Sequence, residues 1–218
     1  MVYKLSHIAA VISARIHLDH EEDILHLLTD SRRIYAPSHS LFFALKGERR
    51  DGHQFIAEAY ASGLRNFVIA EEMPFTDFPG ANFLTVKDTL SALQELAAFH
   101  RSQFSIPVIG ITGSNGKTIV KEWLYQLMHE DLSIVRSPRS YNSQLGVPLS
   151  VWLMNEHHQL AIFEAGISRK GEMEKLERII QPTIGVLTSL GTAHSEGFDS
   201  MLEKANEKRI LFRHAQEP

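Results

Sequence analysis

Short apolar runs alternate with amphipathic stretches in the second half of the chain. The runs at 108–111, 160–163 and 184–188 have the length and apolar character of buried strands. Amphipathic helices are predicted after the first strand, at about 172–180, and from a capping box that begins at Ser200. The apolar face of the first helix is predicted to carry Val120, Leu124, Leu127 and Met128. This alternation predicts an α/β fold whose parallel sheet binds ligands at the carboxyl ends of its strands.

The first part of the chain is predicted to form a separate, small α/β domain. Short helices alternate there with short apolar segments, and Asp88 is a favourable N-cap residue for the last helix. Pro107 cannot continue that helix, so residues 105–107 are expected to form a linker. The predicted domains are therefore 1–104 and 105–218, the second with a mostly parallel sheet.

Composition and charge narrow the range of functions. The chain has a formal net charge of −4 and lacks a basic stripe interleaved with aromatic residues, which disfavours a nucleic-acid partner. Cysteine is absent, which excludes thiol catalysis, disulfides and Cys-based zinc sites. No apolar run approaches the ~20 residues that span a bilayer, and residues 8–14 suit an amphipathic helix better than a signal peptide. We therefore expect a cytoplasmic protein, monomeric or weakly oligomeric, without a membrane partner.

A glycine-rich segment after the first predicted strand carries the strongest chemical signal. Residues 110–118 read Gly-Ile-Thr-Gly-Ser-Asn-Gly-Lys-Thr. Such a loop turns backbone N–H groups toward phosphate oxygens, while its lysine meets the outer phosphates and its threonine hydroxyl binds Mg²⁺. Ile111 stands where the common motif has its first glycine, so the alternative is a glycine-rich turn that happens to contain a lysine. The predicted nucleotide-binding residues are Gly113, Ser114, Asn115, Gly116, Lys117 and Thr118.

The loop sequence Thr-Gly-Ser-Asn-Gly-Lys-Thr resembles the ATP loop of the Mur ligases, which add amino acids or peptides to UDP-N-acetylmuramic acid. Further segments resemble motifs of this family in the same order along the chain. They are Asp30-Ser31-Arg32, residues 43–47, Asp51-Gly52-His53, residues 141–149, Glu164-Ala165-Gly166, and residues 193–198 with Lys208 downstream. The chain departs from the family pattern at Ser143, where a second Asn is usual, and at Ile119, where a hydroxyl residue is common.

The segment around His194 is most similar to the family type that joins D-alanyl-D-alanine to UDP-N-acetylmuramoyl-tripeptide. The resemblance implies ATP as a substrate and an acyl phosphate that the incoming amine attacks. Two Mg²⁺ ions are implied as well, and they make physical sense because a triphosphate and a carboxylate repel one another. The implied metal ligands are Thr118, Glu164, His194 and Lys208, the last as a carbamate. The implied catalytic residues are Lys117, His194 and Lys208.

Each of these residues also has a simpler interpretation. Glu164 ends an apolar strand, where a carboxylate is either metal-bound or ion-paired, and His194 is one of 12 histidines. A partly buried Lys208 would have a lowered pKa and could add CO₂ as a neutral amine, although a lysine that only extends to solvent fits equally well. Lys204 and Arg209 are predicted to lie on other, solvated faces of the last helix. The predicted face of Lys208 contains Met201, Ala205 and Phe212.

The N-terminal motifs imply a pocket for the UDP end of the precursor. The implied substrate-binding residues are Ser31, Arg32, Lys46, Asp51, His53 and Asn142. Taken singly, Ser31 and Arg32 could cap and charge-pair a loop, Lys46 and His53 could be surface residues, and Asn142 could be a turn residue before Gly146. The implied partners are UDP-N-acetylmuramoyl-tripeptide and D-alanyl-D-alanine.

Three other interpretations compete with this assignment. A family member that adds a single diamino acid is the nearest, and an unrelated phosphate-loop ATPase or kinase belongs to a different class. The third is a binding module for the UDP precursor without catalysis. The family has a third, C-terminal domain, which we expect to be absent here, so the 218-residue chain is expected to lack ligase activity. Some relatives are fused to an alanine racemase, which the sequence does not test.

Overall fold

Strands and helices alternate along both halves of the chain, and the computed structural model describes them over residues 1–47, 50–191 and 197–215. Two compact units divide the chain, Met1–Leu96 and Ala97–Pro218. The division falls within a helix, whereas the sequence places the linker at 105–107, just after that helix ends. Among the described residues, no helix combines the length and apolar character needed to cross a membrane.

The first unit is built on a five-stranded mixed sheet and a two-stranded ribbon. Its strands are β1 (Tyr3–Lys4), β2 (Arg15–His17), β3 (Asp23–Ile24), β4 (His26–Leu28), β5 (Ser40–Phe43), β6 (Asn66–Ile69) and β7 (Asn82–Thr85). Its α-helices are α1 (Leu5–Val11) and α2 (Ile56–Ala61), with 3₁₀ turns at Pro37–His39, Gly52–Phe55 and Phe75–Asp77. The sheet order is β2-β7-β6-β5-β4, in which only β2 is antiparallel to its neighbour, and β1 pairs with β3.

The core of the first unit lies between this sheet and its helices. Phe42, Phe67 and Phe83 are buried on neighbouring strands, and their rings contact one another through Phe67. Helix α3 (Thr89–Ser102) begins where the sequence predicted, because Asp88 Oδ1 accepts a hydrogen bond of 2.6 Å from the Ser91 amide.

The second unit contains a four-stranded parallel sheet, which confirms the predicted fold class. Its elements are β8 (Val108–Thr112), α4 (Lys117–Met128), β9 (Ile134–Arg136), α5 (Gly146–Val151), β10 (Leu160–Glu164), α6 (Glu172–Ile180), β11 (Ile184–Leu187), α7 (Met201–Arg209) and a 3₁₀ turn at Ile210–Phe212. The strand order is β11-β8-β10-β9 with every pair parallel, so the carboxyl ends of all four strands lie at one edge.

Both faces of this sheet are covered. Helices α5 and α6 pack on one face around Phe163, Leu176 and Ile180. Helix α4 packs on the other face through Val120, Leu124 and Met128. The prediction that Leu127 shares this buried face is wrong, since it is 78% exposed. The buried face of α4 instead includes Lys121, which is fully buried, and Leu127 consequently points to solvent.

Candidate functional site

The glycine-rich loop joins the end of β8 to the start of α4 at the carboxyl edge of the parallel sheet. Gly116 is the N-cap residue of α4 and has φ +84°, and Gly113 has φ +149°. A Cβ on Gly113 would lie 2.0 Å from Thr188 Oγ1, so both the conformation and the close approach require glycine there. The loop therefore has the strand–loop–helix setting that the phosphate-loop prediction requires.

The segment that follows β11 holds this loop in place. The Ser114 amide donates to the Ser189 carbonyl at 2.8 Å, and the Asn115 amide donates to Ser189 Oγ at 3.1 Å. The Gly191 amide donates to Ser114 Oγ at 2.9 Å. Thr188 Oγ1 also donates to the Asn115 carbonyl at 2.5 Å. Sequence reasoning missed this segment as a partner of the loop, because the two lie more than 70 residues apart.

Two lysine amines meet at one carbonyl oxygen of the loop. Lys117 Nζ donates to the Gly113 oxygen at 2.9 Å, and Lys208 Nζ donates to the same atom at 3.2 Å. Burial, followed by the nearby charges of Lys117 and Lys204, lowers the pKa of Lys208 to about 8. Burial also lowers the pKa of Lys117, although Glu164 acts in the opposite direction. The loop is thus bordered by ammonium groups, which suits an anionic ligand.

The carboxylate of Glu164 lies fully buried at the end of β10 and has partners on both oxygens. Its Oε1 is 3.0 Å from Lys121 Nζ in an ion pair, although the pair lacks hydrogen-bond geometry. Its Oε2 accepts from the Thr118 hydroxyl at 3.1 Å and from the Asn142 amide at 3.4 Å. The backbone amide of Glu164 donates to Ser137 Oγ at 3.1 Å. The sequence offered ion pairing and metal binding as alternatives for Glu164, and the structure places it in an ion pair beside the loop threonine.

The side-chain oxygen atoms of Thr118 and Glu164 are suitable ligands for a divalent cation. Thr118 Oγ1 and Glu164 Oε2 are adjacent oxygen atoms, and Mg²⁺ prefers oxygen ligands such as a hydroxyl and a carboxylate. Glu164 Oε1 is ion-paired with Lys121 but accepts no hydrogen bond from the described residues, so the carboxylate can accept a further ligand. Of the two other implied metal ligands, Lys208 donates to the Gly113 carbonyl at 3.2 Å, and His194 lies outside the described residues.

The inner face of α7 differs from the prediction. Lys204 is 1% exposed, so its predicted place on a solvated face is wrong, and Lys208 is 2% exposed. Met201, predicted to share the buried face, is 43% exposed. The buried face instead contains Lys204, Glu207 and Lys208, because these charged side chains find partners within the unit. Glu207 Oε1, for example, accepts from the Met173 amide at 3.0 Å. The predicted capping box is present, with the Glu203 amide donating to Ser200 Oγ at 3.1 Å.

The motif residues of the first unit form a charge network at the carboxyl ends of β5 and β6. Lys46 Nζ lies 2.5 Å from Glu71 Oε1 and 3.8 Å from Asp51 Oδ2. His53 Nδ1 lies 2.5 Å from Asp51 Oδ1, and its Nε2 accepts from the Ala70 amide at 2.9 Å. Because Nε2 accepts, Nδ1 carries the proton that His53 donates to Asp51. Burial tends to raise the pKa of Asp51, but its bonds from His53 and the charge of Lys46 outweigh this and lower it. The side chain of His53 is nearly buried, so it is not the surface residue that the simpler interpretation described.

Arg32 and Ser31 follow β4, at the same edge of this sheet. Arg32 donates to Asp30 through Nε and Nη2, both at 2.8 Å, and its side chain is 72% exposed. The two bonds lower the pKa of Asp30 to about 2. The structure thus gives Arg32 the local ion pair that the simpler interpretation described, and it also leaves the guanidinium accessible beside the carboxyl ends of β4 and β5.

The parallel sheet, the loop between β8 and α4, and the lysine and threonine that open α4 define a phosphate-loop nucleotide-binding domain. Two family descriptions match the chain, "Mur ligase family, catalytic domain" over residues 23–101 and "Mur ligase middle domain" over residues 111–218. The chain belongs to the Mur ligase family. This membership removes the unrelated phosphate-loop ATPase or kinase as an alternative.

Individual relatives agree with the family match. The chain is 35% identical over 182 residues to UDP-N-acetylmuramoyl-tripeptide–D-alanyl-D-alanine ligase of Bacillus subtilis, covering 83% of this chain and 39% of the relative. A crystal structure of MurF from Acinetobacter baumannii aligns with a TM-score of 0.90 at 30% identity, covering 99% of this chain and 47% of that one. MurF ligase from Thermotoga maritima, solved in complex with ADP, aligns with a TM-score of 0.77 at 30% identity over 88% of this chain and 44% of that one. The chain thus spans less than half the length of these relatives.

Proposed function

We propose that this chain provides the precursor-binding and ATP-binding parts of a ligase that joins D-alanyl-D-alanine to UDP-N-acetylmuramoyl-tripeptide. The observation that carries the proposal is the convergence of Lys117, Thr118 and Glu164 at one edge of the parallel sheet in a Mur ligase chain. Its relatives of 30% identity or more include ligases named for this reaction. These names favour it over the addition of a single diamino acid.

The proposed reaction has two covalent steps. A carboxylate oxygen of the tripeptide attacks the γ-phosphorus of ATP, and ADP leaves with the electrons of the broken P–O bond. The amine of D-alanyl-D-alanine then attacks the acyl carbon, inorganic phosphate leaves with the electrons of the C–O bond, and the amine loses a proton. Lys117, whose amine donates to the Gly113 carbonyl, would exchange that acceptor for the outer phosphates. The first backbone amides of α4, which have no carbonyl partner within the helix, would bind phosphate oxygens.

Thr118 and Glu164 would hold Mg²⁺ when it is bound. The ion would supply the charge compensation that brings a triphosphate and a carboxylate together. Lys121 keeps one oxygen of Glu164 engaged and leaves the other beside Thr118. A second Mg²⁺ site with His194 and Lys208 stays a prediction.

We also propose that Lys208 is carbamylated. Its amine is buried beside the loop, and burial favours the neutral form that adds CO₂ to give a carbamate and a proton. A ¹³C NMR spectrum of the chain under ¹³CO₂ should show a carbamate resonance that a Lys208→Met variant lacks. The same resonance in Lys208→Met, or none in the parent chain, would contradict this assignment.

In the first unit, we propose that Arg32, Lys46 and His53 bind the UDP end of the precursor, together with Ser31 and Asp51. Arg32 and Lys46 are exposed cations that carboxylates hold at one edge of the sheet, which suits a diphosphate. Asn142, whose amide contacts Glu164, is proposed to face the substrate in the second unit.

Calorimetric titration of the 218-residue chain tests both binding steps separately. Mg·ATP should bind, and Lys117→Met should weaken it by about tenfold or more, because a charge-assisted phosphate contact is lost. The control Lys175→Met removes an exposed lysine of the same unit and should leave ATP binding unchanged. The UDP precursor should bind as well, and Lys46→Met should weaken it while the exposed control Lys87→Met does not. ATP binding without precursor binding would contradict the substrate assignment alone.

A further inference from the structure

Helix α7 buries two lysines one turn apart, and the proposed chemistry assigns a role to only one of them. Lys204 and Lys208 are 1% and 2% exposed. Burial of an ammonium group costs several kcal/mol unless interactions inside the protein offset the loss of water. Glu207, on the same face, accepts from the Met173 amide at the start of α6. The partners of the Lys204 amine therefore indicate what it holds in place within this unit.

The Lys204 amine is linked to the phosphate loop through hydrogen bonds to and from Gly191. Lys204 Nζ donates to the Gly191 carbonyl at 2.7 Å. That carbonyl also accepts from Ser114 Oγ at 3.0 Å, and the Gly191 amide donates back to Ser114 Oγ at 2.9 Å. Gly191 thus connects Lys204 to Ser114, a residue in the middle of the loop.

The charge of Lys204 also reaches the two amines that meet at Gly113. It contributes to the lowered pKa of Lys208 and to that of Lys117, in each case after the larger effect of burial. The ammonium groups of Lys117 and Lys204 lie close to one loop and repel one another, and a bound polyanion relieves this repulsion. The relief grows with the number of negative charges on the ligand.

We propose that Lys204 is a positioning residue of the nucleotide site. It anchors the 188–191 segment to the phosphate loop through Gly191, and it adds a positive charge to that of Lys117, which favours a nucleoside triphosphate over the diphosphate. The proposal rests on the proposed nucleotide binding at residues 113–118. The proposal assigns separate effects to the hydrogen bond and to the charge of one side chain, and the charge can be removed with or without the hydrogen bond.

Two variants of the 218-residue chain make this separation. Lys204→Gln keeps a donor for Gly191 without the charge, and Lys204→Met removes both. Calorimetry with ATP and with ADP should give a loss of about tenfold for ATP and about threefold for ADP in both variants. Amide hydrogen exchange of the ligand-free chain should accelerate at Ser114 and Gly191 in Lys204→Met and stay near the parent rate in Lys204→Gln. Lys175→Met, which removes an exposed lysine on α6, is the control for net charge.

The outcomes test the charge role and the anchoring role of Lys204 separately, and they also separate both roles from the proposed function. Equal losses for ATP and ADP, or losses no larger than those of Lys175→Met, would overturn the charge role. Unchanged exchange at Ser114 and Gly191 in Lys204→Met would overturn the anchoring role. If the parent chain binds neither nucleotide, the proposed function fails, and the exchange comparison still decides whether Lys204 anchors the loop.

Discussion

Lys121 and Glu164 form an ion pair that is sealed from solvent, with 3.0 Å between Nζ and Oε1 and neither side chain exposed. Lys121 Nζ also donates to the backbone carbonyls of Ser137, at 2.8 Å, and Arg139. Lys121 thereby ties α4 to the residues that follow β9 and fixes the carboxylate at the end of β10. The second oxygen of Glu164 is left facing Thr118, which is where the proposed cation site requires it.

Removal of Lys121 should destabilise the protein strongly. Lys121→Met leaves a buried carboxylate without its cation, and the expected loss is about 3–5 kcal/mol in the free energy of unfolding, measured by urea denaturation. The double variant Lys121→Met/Glu164→Gln should recover a large part of that loss, because no buried charge remains.

The exposed pair Lys170–Glu203, at 2.9 Å, is a matched control for this prediction. Lys170→Met should shift the urea midpoint far less than Lys121→Met does, because water and salt screen an exposed pair. Similar costs at Lys121 and Lys170, or an additive double variant, would contradict the prediction.

Acid should destabilise the second unit through His100. The His100 ring is buried against Trp152 and its Nε2 lies 3.0 Å from the Met154 carbonyl. Burial lowers the pKa of His100 from 6.5 to about 4. Between these two pH values the unfolded chain therefore binds a proton at His100 that the folded chain does not bind. The contribution of this neutral histidine is present above about pH 6.5 and is lost as pH falls toward 4.

Urea denaturation at pH 7 and pH 5 measures this effect. The parent chain should lose about 2 kcal/mol more than His100→Gln over this interval, because glutamine does not titrate. Equal losses in the two proteins would show that folding does not lower the pKa of His100.

Gly113→Ala should disrupt the loop, and Gly171→Ala should not. A Cβ at Gly113 meets Thr188 Oγ1 at 2.0 Å and the Ser189 amide at 3.0 Å, whereas a Cβ at Gly171 meets nothing within 4 Å. We expect Gly113→Ala to lower the free energy of unfolding by about 3 kcal/mol and to abolish ATP binding in calorimetry. Gly171→Ala, at φ +81°, should cost about 1 kcal/mol and leave ATP binding intact. Retained ATP affinity in Gly113→Ala would contradict the role of this backbone in the site.

Arg101 should be irreplaceable by lysine. Its guanidinium donates to the carbonyls of Ile180 at 2.9 Å, Gln181 at 3.0 Å and Phe104 at 2.6 Å, so it joins α3 to the end of α6. Arg101→Met should cost about 3 kcal/mol because buried carbonyls lose their donors. Arg101→Lys should recover less than half of this loss, since an ammonium lacks the planar fork. In thermal denaturation, the exposed Arg178→Met serves as the control and should cost under about 0.5 kcal/mol.

The parts of the fold that local pattern predicts are those whose stabilising contacts are encoded locally. Helix α6 has the predicted bounds, because its apolar spacing is strong and Pro182 follows it. Strand β9 has only three residues, and α5 contains Gly146 and Pro148, so neither has a periodic signal long enough to detect. Their packing in the second unit, and not their intrinsic preference, determines them.

The residues of the candidate site also fall into those that a local pattern marks and those that only distant contacts determine. The loop and Glu164 are recognisable because a continuous motif or a strand end marks them. Lys121 and Lys204 were missed, because a buried lysine looks like a solvated one until its partner is known. Those partners lie far away in sequence, at Glu164 and Gly191. Sequence alone predicts the ligand-facing residues, whereas the supporting charges become visible only in three dimensions.

The oxygen of Gly113 accepts hydrogen bonds from the amines of both Lys117 and Lys208. If the proposed function holds, a nucleotide phosphate would exchange one acceptor of Lys117 for another and would not have to order a mobile lysine, which lowers the entropic cost of binding. The same exchange would run backwards on release, because the Lys117 amine could return to the Gly113 oxygen. A single backbone oxygen would thus keep the energy difference between the filled and the empty loop small.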